Sequence, residues 1–124
     1  MANKLSAGQG ETLVELEYKF VGQDLQVIIT AGKAHVGAVA LAVPCARTAE
    51  GVTASVSVMT VPGHRDNVVA GDAALRLCKA LGRPVSVTAG LHIDQADGMV
   101  IQALITHADE AVNKLVNLIL GDEK

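Results

Sequence analysis

Residues 12–31 read TLVELEYKFVGQDLQVIITA, and this stretch indicates the fold class more clearly than any other part of the chain. In its first half, apolar side chains on one face alternate with Glu15, Glu17 and Lys19 on the other. A period of two residues is typical of a strand with one buried face. A Gly-Gln-Asp turn follows, and residues 24–31 read as a second strand, so we predict a β-hairpin.

The rest of the chain predicts three more strands and about three helices. Residues 35–43 are apolar on both faces, which is typical of a central strand covered on both sides, and a partner subunit could supply the second cover. Residues 52–61 alternate again, and residues 85–89 form a short fifth strand. We predict helices over residues 66–81, 95–105 and 106–120. The expected fold is α+β, with a mixed, mostly antiparallel five-stranded sheet and about three helices packed on one face.

Length and composition restrict the class of protein. A chain of 124 residues predicts a single domain, and its small polar residues 1–10 are expected to be frayed. The net charge of −3 and an aromatic content of 2% argue against nucleic-acid binding, which favours basic patches and stacking rings. No apolar run approaches the roughly 18 residues of a membrane span. Two cysteines and no apolar leader indicate a cytoplasmic protein, for which we expect a small anionic ligand.

Three histidines lie beside predicted strand ends, where folds of this class place ligand sites. His35 opens the third strand, His64 separates the fourth strand from the first helix, and His92 follows the fifth strand. We expect the fourth, His107, to be solvated in the first turn of the last helix.

The stretch Gly63-His64-Arg65 enters the first predicted helix. Free N–H groups and the positive end of the helix dipole attract anions there, glycine permits close approach, and arginine offers a fork suited to phosphate. These three residues therefore predict a phosphate or carboxylate pocket. Alternatively, Arg65 is a surface residue paired with Asp66 or Asp72.

His92 and Asp94 are two residues apart, so in an extended segment their side chains point the same way. Asp94 could orient the imidazole for proton transfer, or the pair could contact a ligand or a metal. In the simpler alternative, Asp94 caps the next helix and His92 bonds a carbonyl. The sequence has no structural zinc spacing, phosphate-binding loop or nucleophile elbow, so we assign no metal ligand and no catalytic residue.

Four strings together resemble the LpdD-like prenylated-flavin chaperone family: residues 35–40 (HVGAVA), 62–66 (PGHRD), 81–83 (LGR) and 87–94 (VTAGLHID). The resemblance covers roughly residues 12–120 and suggests an LpdD-like domain at 11–121. Members of this family accompany UbiD-type decarboxylases such as gallate decarboxylase, whose cofactor is prenylated FMN.

The resemblance implies a non-catalytic chaperone that binds prenylated FMN or FMN for a UbiD-type decarboxylase. A homo-oligomer is expected, because a second subunit would help to line the ring and to cover the two-sided apolar strand. The cofactor-binding residues would be Gly63, His64 and Arg65 near the phosphate, with His35, His92 and Asp94 near the ring or ribityl chain. Few aromatic side chains are available, so aliphatic residues would have to line the ring. Two alternatives are a small metal- or His/Asp-dependent enzyme acting on an anionic metabolite and a structural subunit of a decarboxylase.

Overall fold

The computed structural model describes residues 3–62 and 66–122. In chain order the strands are β1 (Asn3–Ala7), β2 (Val14–Val21), β3 (Asp24–Gly32), β4 (Ala38–Thr48), β5 (Gly51–Thr60) and β6 (Val85–His92). Helix α1 (Asp66–Leu81) precedes β6, and helix α2 (Gly98–Asp122) follows it. A short 3-10 turn at Gly10–Thr12 links β1 to β2.

The six strands form one mixed sheet in the order β1-β2-β3-β6-β4-β5. Neighbours are antiparallel except β3 and β6, which are parallel and pair from Leu25↔Val85 to Gly32↔His92. The carboxyl ends of these two strands therefore lie side by side at the same end of the sheet. The predicted α+β class and mixed sheet are confirmed.

Both helices cover one face of the sheet. Helix α1 lies on β4, β5 and β6, while α2 lies on β1, β2 and α1. The apolar stripes repeat every three to four residues, as helix burial requires. On α1 the stripe is Ala70, Ala73, Ala74, Leu77 and Cys78, and on α2 it is Leu104, Ala108, Ala111, Val112, Leu115 and Ile119. Small alanines let α1 approach β4, whose buried residues are Ala38, Ala40 and Ala42. Within the described residues, no helix is long and apolar enough to cross a membrane.

The ends of the helices follow from local sequence. Gly82 has a φ of 72° and its N–H bonds the Cys78 carbonyl at 2.7 Å, so it closes α1 in the left-handed conformation that glycine tolerates. The expected division of the last segment at Thr106 is wrong, because residues 98–122 form one helix. The apolar stripe of α2 runs from Leu104 to Ala108 without a break, so the helix continues through Thr106.

Three other expectations need correction. Residues 1–10 were expected to be frayed, yet Asn3–Ala7 pairs with β2 as an edge strand. The third predicted strand begins at Ala38, which leaves His35 in the preceding loop, and it is second from the sheet edge rather than central. His107 lies within α2, where its Nδ1 donates to the Thr12 carbonyl at 2.8 Å and its ring packs on Gly8, so it is not simply solvated.

Candidate functional site

The segment between β3 and β4 crosses the end of β6. The Lys33 N–H bonds the His92 carbonyl at 2.9 Å, and the Gly37 N–H bonds the Ala89 carbonyl at 3.0 Å. Between these anchors the His35 backbone passes directly over Gly90, where a β-carbon would overlap the His35 carbonyl. The absence of a side chain at position 90 therefore lets His35 reach the carboxyl end of the parallel strand pair.

His35 is held at both ring nitrogens. Its Nδ1 lies 3.0 Å from the Lys33 carbonyl, and its Nε2 lies 3.2 Å from Oδ2 of Asp66. A carbonyl oxygen only accepts, so Nδ1 carries a proton. The contact with Asp66 then contains one more proton, either on the imidazole as a donor to carboxylate or on a carboxyl group as a donor to Nε2.

Asp66 is the buried acidic residue at the centre of this arrangement. It is the first residue of α1 and is only 5% exposed. Its Oδ1 accepts the Leu91 N–H at 3.1 Å, while Oδ2 faces His35. A carboxylate at a helix N-terminus also interacts favourably with the helix dipole. Asp66 thus joins α1, the end of β6 and the loop after β3.

His92 and Asp94 form a second, solvent-exposed pair. The His92 Nε2 lies 3.0 Å from Oδ1 of Asp94, and the Lys33 Nζ lies 2.8 Å from Oδ2. The hydrogen bond from Lys33, followed by that from His92, lowers the pKa of the Asp94 carboxyl below its usual value. Asp94 is therefore an ionised group that orients one histidine ring.

The two pairs are adjacent. The His35 and His92 rings meet edge to face, with centroids 6.1 Å apart and an interplanar angle of 85°. The structure therefore brings together His35, His92 and Asp94, three of the residues singled out in the sequence. Gly63, His64 and Arg65 lie outside the described residues, although they directly precede Asp66 in the chain.

An apolar cavity of about 570 Å³ adjoins this cluster and is partly open to solvent. Asp66, His92 and Gln95 supply its polar groups. The remaining wall is aliphatic and consists of Val68, Val69, Leu91, Ile93, Ala96, Ile101, Leu104 and Ile105. Gln95 has a φ of 58°, a strained value for a residue with a side chain, and such strain is often found at functional sites.

A second cavity, of about 320 Å³, lies between α1 and α2. Its cation, Arg76, is already bonded to Asp72 and Asp109, and to the side-chain oxygen of Asn113. Because these partners already bond the guanidinium, this cavity is a poorer site for an anionic ligand than the cavity beside Asp66. Among the described residues, no group of three or more His, Cys, Asp or Glu side chains is arranged to hold a metal.

Sequence reasoning missed Asp66, Lys33 and the glycines that make room for them. From the sequence, Asp66 is only the first residue of a predicted helix or a partner for Arg65. A β-carbon at Gly37 would overlap Asp66 Oδ2, and one at Gly32, whose φ is 62°, would overlap the His92 carbonyl. Glycines next to strand ends and two or three residues from His35 were the available signal for a close backbone crossing.

Known proteins resemble this chain in sequence family and in fold. The model of the prenylated flavin chaperone LpdD-like domain matches residues 8–120. No curated protein gives a significant match. A chain from a structure described as "Crystal Structure of a Novel Chaperone Complex for Yeast 20S Proteasome Assembly" has a TM-score of 0.61 at 13% identity. The alignment covers 96% of this chain and 98% of that one, and at such low identity it shows a shared fold only. Because the family model spans most of its length, this chain belongs to the LpdD-like prenylated flavin chaperone family, as its motifs predicted.

Proposed function

We propose that this protein binds prenylated FMN in the cavity beside Asp66 and holds it for a UbiD-type decarboxylase. The observation that carries the proposal is the junction of an aliphatic cavity of about 570 Å³ with the His35–Asp66–His92 cluster. Cavities that take cofactors typically have about 300–1,000 Å³, apolar walls and a few convergent polar groups.

The residues present fit the two halves of such a cofactor. The aliphatic wall on α2, which includes Ile101, Leu104 and Ile105, would cover the apolar ring in place of the aromatic side chains that the chain lacks. Gln95, at the polar side of the cavity, would donate to ring or ribityl oxygens. The Nε2 of His92 faces Asp94, so its Nδ1 would accept from a ribityl hydroxyl or a ring N–H. The bound cofactor would supply no chemistry here, because a chaperone keeps it intact for another enzyme.

The phosphate is assigned from sequence. Gly63, His64 and Arg65 precede the first residue of α1, and a helix N-terminus with a nearby guanidinium is a favourable place for phosphate. Asp66 is acidic, but its oxygens already face His35 and the Leu91 N–H, which offset its charge. The partial opening of the cavity also suits a protein that has to release its ligand.

The geometry also favours a second candidate. His92 held by the ionised Asp94 resembles an oriented general base, which an enzyme acting on an anionic metabolite would use. A chaperone and an enzyme differ in the response to His92→Gln. The chaperone role predicts that the variant binds the cofactor more weakly and that neither the original protein nor the variant shows catalytic turnover. If the protein is an enzyme, the variant should lose turnover while retaining its ligand.

A cavity-filling variant tests the proposal directly. Ile101→Trp places a large ring in the cavity, and Leu120→Trp is the matched control because it lies on the same helix outside the cavity and is similarly exposed, at 43% against 38%. We expect Ile101→Trp to weaken prenylated FMN binding at least about tenfold, the equivalent of 1.4 kcal/mol, in a fluorescence titration. Leu120→Trp should match the original protein. Equal affinities for all three would exclude the cavity as the binding site.

The decarboxylase partner needs its own experiment. Loaded protein, mixed with a UbiD-type apo-decarboxylase, should restore decarboxylation faster than an equal amount of free prenylated FMN. Equal rates with and without the chaperone would contradict the delivery role while leaving cofactor binding intact.

A further inference from the structure

The face of the sheet opposite the helices carries a patch of exposed apolar side chains with uncharged polar residues between them. Val39, Leu41 and Val43 project from β4 on this face and are 40%, 49% and 38% exposed. Pairing registers align them with outward residues of the neighbouring strands. One row is Ile28, Thr88, Val39 and Met59, and the next is Gln26, Ser86, Leu41 and Ser57.

Such a patch indicates a protein contact. Single exposed apolar residues are common, but a contiguous group on a flat sheet is typical of an interaction surface. Met59 extends from the edge strand β5 and is 81% exposed, so none of the residues that the structure describes covers it. The apolar residues of β4 that face the helices are therefore buried, whereas those on its other face are exposed.

The charges on this face favour a second copy of the same chain. A two-fold interface brings a surface against itself, so a surface with net charge would repel its copy. The outward residues between positions 39 and 43, 53 and 59, and at Ser86 and Thr88 are all uncharged. On β1 and β2, Lys4 bonds Glu17 at 3.4 Å, and the charges of Glu15 and Lys19 have opposite signs.

The area is also sufficient. The strands contain 5, 8, 9, 11, 10 and 8 residues in chain order. Each residue occupies about 3.3 Å along its strand and about 4.8 Å across the sheet, so the face has an area of roughly 800 Å². Stable dimers of standard size bury about 800 Å² on each partner. A face of this extent could therefore supply a complete interface with little help from loops.

We propose that the protein is a homodimer in which the helix-free faces of the two sheets pack against each other, with the β4 residues Val39, Leu41 and Val43 at the centre. The sheets would lie about 10 Å apart, as in a β-sandwich. The cavity beside Asp66 lies on the helix side, so each subunit keeps its own. This inference does not depend on the identity of the ligand.

The test is the mass of the purified full chain in solution, measured by light scattering after size exclusion. We expect twice 12.8 kDa for the unmodified protein. Leu41→Lys should raise the dimer dissociation constant at least about tenfold, because it places a charge near the interface centre. Leu118→Lys, an equivalent change at a 42% exposed leucine on α2, should leave the dimer intact.

Met59→Lys is a second variant that tests the same interface if Leu41→Lys fails to fold. Its side chain is almost free in one chain, so the substitution should preserve the fold, checked by circular dichroism, while weakening the dimer. A monomer at all concentrations would overturn the proposal and leave the face to a different partner. A dimer that survives both Leu41→Lys and Met59→Lys would overturn it too, because the interface would lie elsewhere.

Discussion

Gly37 lies against Asp66 so closely that a β-carbon at position 37 would overlap the Oδ2 atom that faces His35. Gly37→Ala should therefore push Asp66 away from His35 and reduce the free energy of unfolding by roughly 1–3 kcal/mol, the usual cost of overpacking. Urea denaturation measures this loss. Gly98→Ala is the control, since a β-carbon there meets open space, and it should change stability by less. If the Gly37→Ala variant is as stable as the original, Asp66 can move aside without a cost in stability, and the prediction is wrong.

The two oxygens of Asp66 predict different outcomes for two substitutions. Asp66→Asn keeps an acceptor for the Leu91 N–H and turns its amide N–H toward a neutral His35. Asp66→Leu removes the acceptor of the part-buried Leu91 N–H and the contact with His35, and the loss of such a hydrogen-bond partner costs about 1–3 kcal/mol. We expect the leucine variant to be clearly less stable than the asparagine variant in urea. The reverse order would mean that the cluster contributes nothing to folding.

Asp94 predicts a pH dependence of stability. Its pKa in the folded protein is below the ordinary 3.8, because Lys33 and His92 hydrogen-bond the ionised form. These contacts therefore stabilise the fold above pH 3.8, and their contribution is lost as the pH falls through the lower folded pKa. Asp94→Asn should be less stable than the original at neutral pH, and the difference should shrink in acid.

Urea midpoints measured across this pH range test the Asp94 prediction. Glu110→Gln, an exposed acidic residue on α2, controls for the loss of one charge. A difference between Asp94→Asn and the original that stays constant down to pH values below 3.8 would contradict the assignment.

The fold was largely predictable because its signals are local. The alternation in β2 and the end of α1 at Leu81 are properties of short stretches, and both were predicted correctly. Strand β1 was missed because an edge strand of five residues with one buried alanine has little pattern of its own. The register that pairs Leu5 with Leu16 depends on the partner strand, which local sequence does not specify.

The site was predictable only in outline. Strand ends indicated His35, His92 and Asp94, and the parallel pairing of β3 with β6 brings those ends together. The role of Asp66 depends on tertiary contacts with Leu91 and His35, which are 25 and 31 residues away in the chain. A carboxylate at the first position of a helix looks like an ordinary capping residue until those contacts are known.

Arg65 remains a prediction from the sequence. If its guanidinium meets the cofactor phosphate, Arg65→Ala should weaken prenylated FMN binding by about 1.5–3 kcal/mol, the usual range for a hydrogen bond to a charged group. Titration of both proteins measures the change. Arg47→Ala, an exposed arginine on β4, is the control and should bind normally. An unchanged dissociation constant for Arg65→Ala would remove Arg65 from the site.

The most direct test of the central claim is to purify the protein after co-expression with a flavin prenyltransferase. Its absorbance spectrum is recorded, and the released ligand is weighed by mass spectrometry. The account predicts a flavin-like band and a mass equal to that of prenylated FMN, both absent from the Ile101→Trp variant and retained by Leu120→Trp. A colourless protein without ligand under the same conditions would contradict the claim that this chain is a tight binder of the cofactor.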